Sequence, residues 1–453
     1  MVDPETRYDG PAGLWIERGE LKKIARTETE RQALRARVAA TAPEALRLEA
    51  DGLLVFPGLV DLHVHLREPG FEYKETIRTG CEAAARGGFT AICCMANTNP
   101  VNDCRAVTEF ICARAAEVSG VAVHPIGAIS KGLEGKELAE IAEMKKGGIV
   151  AVSDDGRPVA DSALMRRALE YARTFDLRVV SHAEDKALAG SGCMHEGAVS
   201  TRLGLEGIPA EAEEIMVARD IHLAALTGAR LHIAHVSTAG SVELVRRAKE
   251  KGLDVTAEAA PHHLLLTDEV LGGSGAYDTR YKMNPPLRAS RDMDALRRGL
   301  QDGTIDCIAT DHAPHSEDDK NVEFHRAPFG VVGLETALAA GLSLVRSGTL
   351  SLAQLAERMS LGPARLFGLP HGRIAEGRPI SLAVIDPNHK WTVDARRFRS
   401  KSRNSAFEGW TFEGDVAYTL AQRRLSYAAE WARPLTAISE PAGAPTQRRI
   451  AGV

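Results

Sequence analysis

The sequence predicts an α/β chain: a closed (β/α)8, TIM-type barrel with a small β-sandwich-like domain formed from both chain ends. Three observations carry that expectation. Eight short β-branched runs alternate with longer segments of helical period between about residues 57 and 370. Chemistry-bearing polar residues gather at the C-terminal ends of those runs, the end where barrels of this kind do their chemistry. Strand-and-turn material flanks the repeating part on both sides.

Residues 1 to about 56 hold two short strand-and-turn stretches, Leu14–Glu20 and Leu46–Val55, with a charged stretch around Thr27 to Arg37 between them. From Leu59 the pattern changes. The expected strands are Val60–Leu66, Thr90–Met95, Val121–Ile126, Ile149–Ser153, Arg178–His182, Arg230–Val236, Asp254–Ala259 and Asp306–Thr310. Between them Ser162–Thr174, Ala210–Thr227 and Ser241–Lys251 read as helices. An open, doubly wound sheet would have the same strand count. The polar residues at the strand ends (His63 and His65, Asn97, Asp154 and Asp155, His182, His235, Asp311) favour the barrel. Past about Ser351 a helix at Ala353–Ser360 leads to short strands through Gly372–Asp386, Trp391 and Val416–Thr419. Residues 57–369 are therefore expected to form the barrel, and 1–56 plus 370–453 the composite β domain. The Ala- and Pro-rich stretch from about Pro434 is expected to be loosely ordered.

Composition removes several function classes. A net charge of -5 offers no basic patch for nucleic acid. No apolar run reaches the roughly 18 residues of a membrane span, and the first residues lack the basic and apolar regions of a signal peptide. Seven scattered cysteines, an odd number, suit reduced packing residues of a cytoplasmic protein rather than a disulfide framework. Walker A, dinucleotide, nucleophile-elbow and His-Glu-x-x-His motifs are absent from the sequence.

His63 and His65 lie two apart in an apolar run, so a strand puts both on one face. Two imidazoles at a strand end can chelate one divalent metal. Arg67 follows on the same face, where a substrate anion could meet it. Alone, a His-x-His is more readily a pair of hydrogen-bonded core histidines. Asp154 and Asp155 could be turn formers, His182 a satisfied core histidine, and Asp311 a helix cap. His232 and His235 point to opposite faces of their run, and His235 is at its end. Each bland reading is as good as its rival, but all of them holding at once is improbable.

Together these stretches resemble the amidohydrolase superfamily, and within it the class I dihydroorotases whose metals share an aspartate. The likeness rests on Asp61–Gly70 (Asp-Leu-His-Val-His-Leu-Arg-Glu-Pro-Gly), Met95–Pro100, Ser153–Arg157, Ser181–Glu184, Ile233–Ser237, Ala260–Leu264, Lys282–Arg288 (Lys-Met-Asn-Pro-Pro-Leu-Arg) and Ala309–His315. The resemblance implies that His63, His65 and Asp311 hold one zinc ion (Zn2+), His182 and His235 a second, and Asp155 the bridge. Two zinc ions per subunit are implied, with one as the alternative. It further implies that Arg67, Asn97 and His315 bind a substrate carboxylate beside His65, while Asn284 and the Phe329 and Gly330 backbone contact the ring.

The implied activity is reversible interconversion of N-carbamoyl-L-aspartate and L-dihydroorotate in pyrimidine synthesis. Zinc would lower the pKa of water to supply a nucleophile, and Asp311 would carry the proton to the leaving amide nitrogen. Arg67 has the planar fork suited to a carboxylate. The stretch Gly148–Gly156 contains no lysine to bridge metals after carboxylation, which agrees with the aspartate-bridged branch. Family members usually begin with one more strand ahead of the equivalent of Val2 to Pro4, implying an incomplete small domain or a displaced start. The rivals are a hydantoinase, dihydropyrimidinase or allantoinase, and a non-catalytic scaffold of aspartate transcarbamoylase. Arg67 and His315 disfavour the former; an intact ligand set disfavours the latter. A homo-oligomer and association with aspartate transcarbamoylase are the expected assemblies.

Overall fold

Eight parallel strands stand at the centre of the computed structural model, which describes residues 1–41, 46–48, 50–118, 120–434 and 436–437. They are β1 Leu59–Val64, β2 Phe89–Cys94, β3 Ala122–Pro125, β4 Ala151–Ser153, β5 Arg178–Ser181, β6 Leu231–Ile233, β7 Val255–Ala259 and β8 Cys307–Ile308. Each begins close to the run expected from periodicity. β1 to β3 pair in chain order, as do β4 to β8. Gly127, just past β3, bridges Val152 on β4, and His312, past β8, bridges Val64 on β1. Those two bridges close the ring.

Every residue of β1 and β2 is buried, which is why these strands read as continuous apolar runs. Inside the barrel, Val60, Leu62, Cys93, Val180 and Cys307 form one apolar cluster, against which Leu366, Phe367 and Leu369 pack. Outside, Leu59, Ile92, Val179 and Ile233 pack against helical residues such as Ile77, Leu169, Val217 and Val242. Helix Ser162–Thr174 spans the residues expected of it. Asp161 caps it by accepting from the Ala163 and Leu164 amides, and Leu164, Ala168, Leu169 and Ala172 form its buried stripe.

One irregularity matters for the site. Asp61 pairs with Ile92 and Val64 with Cys94, so β1 takes three steps where β2 takes two. The extra residue is a bulge. It lets Leu62 fill the interior while His63, the next residue, also turns inward; strict alternation would separate them.

The chain ends meet in a four-stranded antiparallel sheet ordered Arg424–Ala428, Thr411–Ala421, Leu382–Thr392, Leu54–Pro57. The hairpin Gly13–Glu17/Glu20–Ala25 joins it through a bridge from Glu20 to Pro379, and Leu21, Ile24, Ile380 and Leu382 share one core. The charged stretch near Thr27 is a helix, Glu28–Thr41, with no buried residue. Arg86 on helix Ile77–Arg86 clamps Asp415 with two contacts of 2.6 and 3.0 Å, tying sheet to barrel. Residues 393–410 leave the sheet and pack over the barrel, where Phe407, together with Phe412 on the returning strand, shares a core with Leu266, Met283 and Val331. The stretch expected to be loosely ordered lies outside the described residues after Pro434, apart from the short strand Thr436–Ala437.

Candidate metal centre

His63 and His65 leave the end of β1, where the His65 amide donates to His312 O at 2.8 Å. Asp61 accepts from the amides of both His63 (3.0 Å) and Thr310 (3.1 Å), pinning β1 to the segment that carries Asp311. After β4 the two acids part. Asp154 turns aside to accept from the Ile129 and Ser130 amides at 2.7 and 3.0 Å and from the Ser130 hydroxyl. Asp155 turns inward.

Asp155 sits at the middle of the group. Its Oδ1 is 3.4 Å from His63 Nε2, 3.4 Å from His182 Nδ1 and 3.6 Å from His235 Nε2; its Oδ2 is 3.4 Å from His65 Nε2. Asp311 Oδ1 lies 3.1 Å from His65 Nε2 and 3.5 Å from His63 Nε2. His182 Nδ1 and His235 Nε2 are 2.9 Å apart. Among the described residues two groups of donors at this cluster are compact enough for an ion, His63 with Asp155 and His235, and His63 with His65 and Asp311. Bonds of about 2.0–2.2 Å to a tetrahedral ion separate its ligand atoms by about 3.4 Å, so these spacings suit one.

The outward ring nitrogens explain the orientation. His63 Nδ1 donates to Glu258 Oε1 at 2.6 Å, His65 Nδ1 to Asn97 Oδ1 at 2.8 Å and His182 Nε2 to Glu184 Oε2 at 3.2 Å. A carboxylate only accepts, so His63 and His182 direct their other nitrogen at the centre. Among the described residues, buried His63 Nε2 and Asp155 Oδ1 have no hydrogen-bond partner, and neither does His235 Nδ1. Two orphaned atoms facing each other across a carboxylate-rich pocket fit a cation.

The charges agree. Burial opposes a cation on His63, yet Asp155, Glu258 and Asp311 outweigh it and hold its pKa well above the ordinary value. His182 rises to about 9 because Asp155 and Glu184 overcome its burial. Asp155 and Asp311 are buried, but the surrounding histidines keep both carboxyls well below the usual range. The pocket demands positive charge. Three of its residues also adopt left-handed backbones rare outside glycine: Arg67 at φ 60°, His235 at 31° and Asp311 at 47°. Such strain collects at functional sites.

The rim residues all lie near this cluster, but each already has a partner. Arg67 Nε donates to Pro314 O at 3.2 Å. Asn97 is engaged by His65, and Asn284 Nδ2 donates to Glu184 Oε2 at 3.0 Å. His315 Nε2 donates to Phe329 O at 2.8 Å, so its Nδ1, 3.4 Å from Lys74 Nζ, is the acceptor. Burial and the cations of Arg67, Lys74 and Lys320 push His315 down to about 2, leaving it neutral. A Cβ on Gly330 would stand 2.8 Å from Ala313 Cβ and 3.1 Å from His315 Nε2, at a φ of 134°, so only glycine fits there.

Four residues at the site were not singled out from sequence. Glu258 and Glu184 hold His63 and His182, Lys74 faces His315, and Lys320 holds the Gly330 segment. Glu258 left a signal, an acid within the apolar run of β7, because such residues are rarely fully buried unless paired. Lys320, in Glu-Asp-Asp-Lys, left none.

Residues 52–241 match the family described as Dihydro-orotase-like. A dihydroorotase of Anaeromyxobacter sp. (strain K) is 54% identical over 94% of this chain and 95% of its own length. One from Syntrophus aciditrophicus (strain SB) is 49% identical over 94% and 97%. Among solved structures, dihydropyrimidinase from Brevibacillus agri NCHU1002 superposes with a TM-score of 0.80 at 24% identity, covering 97% of this chain and 95% of that one. L-Hydantoinase from Arthrobacter aurescens gives 0.78 at 25%, with 94% of each chain covered. The structural likeness accounts for the barrel, and half-identity over nearly the whole length carries more: the chain belongs to the dihydroorotase family.

Proposed function

We propose that the chain is a zinc-dependent dihydroorotase that interconverts N-carbamoyl-L-aspartate and L-dihydroorotate. The observation that carries this reading is Asp155, whose two oxygens face the inner nitrogens of all four histidines at 3.4–3.6 Å. In this reading His63, His65 and Asp311 hold one ion, His182 and His235 the other, and Asp155 lies between. Bound zinc supplies a nucleophile at neutral pH by lowering the pKa of water and polarises the ring carbonyl. Asp311 accepts the proton released in attack and returns it to the leaving amide nitrogen. Arg67 exchanges its contact with Pro314 O for the substrate carboxylate, assisted by Asn97 and His315. Asn284 and the Phe329 and Gly330 backbone orient the ring.

The proposal includes a barrel unit of residues 57–369 and a composite unit of 1–56 with 370–453. It also includes cytoplasmic residence; no helix among the described residues is long and apolar enough to cross a membrane. The proposal also includes assembly with further copies or with aspartate transcarbamoylase, which sizing with and without that enzyme would test.

The test of function is metal analysis joined to assays on dihydroorotate, dihydrouracil and hydantoin. One to two zinc ions per chain, dihydroorotate hydrolysis abolished reversibly by chelation, and negligible turnover of the rings lacking a carboxylate are expected. Full activity without metal, or preference for dihydrouracil, overturns it.

A further inference from the structure

The barrel interior below the ligand cluster carries a continuous line of polar side chains. Glu258, 1% exposed on β7, accepts from His63 Nδ1 with Oε1 and from His232 Nε2 with Oε2, at 2.6 and 3.1 Å. Its Oε1 also accepts the His235 amide at 3.2 Å. His232 Nδ1 is 2.9 Å from Thr256 Oγ1, which in turn lies 3.4 Å from Arg178 Nη1. Arg178 ends the line on Asp254 Oδ1 at 2.8 Å, where the Asp254 side chain is half exposed. Donor and acceptor roles follow along it: Arg178 to Thr256, Thr256 to His232, and His232 to Glu258, which also accepts from His63.

The other ligand histidines lack such backing. His65 rests on the neutral Asn97 amide, His182 on a Glu184 oxygen shared with Lys186 and Asn284, and His235 Nδ1 has no partner among the described residues. His232, Glu258 and Cys307 could by spacing hold an ion themselves. Both Glu258 oxygens are already committed, however, and an ion there would break the line.

We infer that Glu258 is a positioning residue: braced from below by His232, it fixes the tautomer and direction of His63 and raises its strength as a metal ligand. Its effect falls mainly on the ion held by His63, His65 and Asp311, because its contact with His235 is to the backbone amide and not to the ring. The inference rests on the ligand assignment proposed above.

The experiment is a zinc titration of chelator-stripped protein against a chromophoric competitor, repeated with Co2+ to read the visible ligand-field bands. Glu258→Gln should weaken the His63-side step by about 10–100-fold, the effect typical of losing such a partner, and shift the cobalt bands. Glu184→Gln should weaken the other step. Glu258→Asp, which restores charge without reach, should recover part of the loss. If Glu258→Gln does not fold, His232→Gln carries the test through a smaller, severalfold weakening of the same step. Unchanged titrations and spectra in folded variants overturn the inference while leaving the ligand assignment standing. Failure of the native chain to bind either metal overturns the assignment itself.

Discussion

At the centre of the barrel mouth His63 Nε2 and Asp155 Oδ1 face one another without hydrogen-bond partners among the described residues. On the rim above them, His315 is committed to Phe329 O, Arg67 to Pro314 O and Asn97 to His65. The centre is thus held open for an added charge by groups behind it, whereas the rim is satisfied internally and must exchange contacts to bind anything. Substitutions at the centre should therefore destroy chemistry and metal binding together. Those on the rim should act through substrate affinity.

The largest effect tests the centre. Asp311→Asn removes the carboxylate 3.1 Å from His65 Nε2 and the proposed proton carrier at once. Turnover of dihydroorotate should fall by on the order of 10²–10⁴-fold, the typical contribution of a general base, with metal content reduced as well. Near-native turnover at neutral pH would erase the distinction between centre and rim.

Next is Arg67→Met on the rim. A charge-assisted contact to a carboxylate is worth roughly 1.5–3 kcal/mol, so KM for dihydroorotate should rise about tenfold or more while zinc stays bound. Lysine should restore only part, lacking the planar fork. Unaltered KM, or lost zinc, would put Arg67 in the wrong class.

Lys320→Met is expected to act more weakly. The buried ammonium donates to Lys282 O (3.2 Å), Pro328 O (2.9 Å) and Gly330 O (3.0 Å), holding the segment proposed to contact the ring. Stopped of these donors, the segment should loosen, raising KM severalfold with little change in kcat. A fall in kcat alone would exclude this role.

The smallest effect on activity, and one confined to stability, concerns Glu335. Burial pushes its carboxyl to about 7, although the Arg399 and Ser400 amides donate to it. A carboxyl raised on folding contributes stability below its unfolded value near 4.5, and that contribution is lost as pH climbs through about 7. Relative to the native chain, Glu335→Gln should gain stability between pH 5 and 8 by up to about 3 kcal/mol, since one pKa unit is about 1.4 kcal/mol. Denaturant midpoints at both pH values measure it, and a constant difference would refute the assignment.

The contrast also explains what could be read beforehand. A histidine or aspartate ending an apolar run conflicts with its neighbours, and a site resolves the conflict, so the proposed ligands stood out. The barrel strands did too, because burial on both faces leaves uninterrupted apolar runs. The choice between Asp154 and Asp155 depends on the Ile129 and Ser130 amides, supplied by a distant loop. The bulge before His63 breaks the two-residue period on which strand reading depends. Ser402, whose hydroxyl donates to His315 O at 2.6 Å, comes from a tail that sequence alone attached to the small domain.

The pairing of Leu54–Pro57 with Leu382–Ile385 has a consequence for synthesis. Pro57 leaves the ribosome about 325 residues before its partner, a wait of roughly 15 to 65 s at 5–20 residues per second. Among the described residues the strand feeding into β1 has no other neighbour in its sheet, and β1 itself awaits its bridge to His312. A chain ending at residue 370 would carry every proposed ligand yet never complete that sheet. It should be protease-sensitive and bind metal poorly; a stable, metal-binding truncation would show that the barrel closes without it. On that expectation, the histidines translated first should be among the last to be locked in place in the full chain.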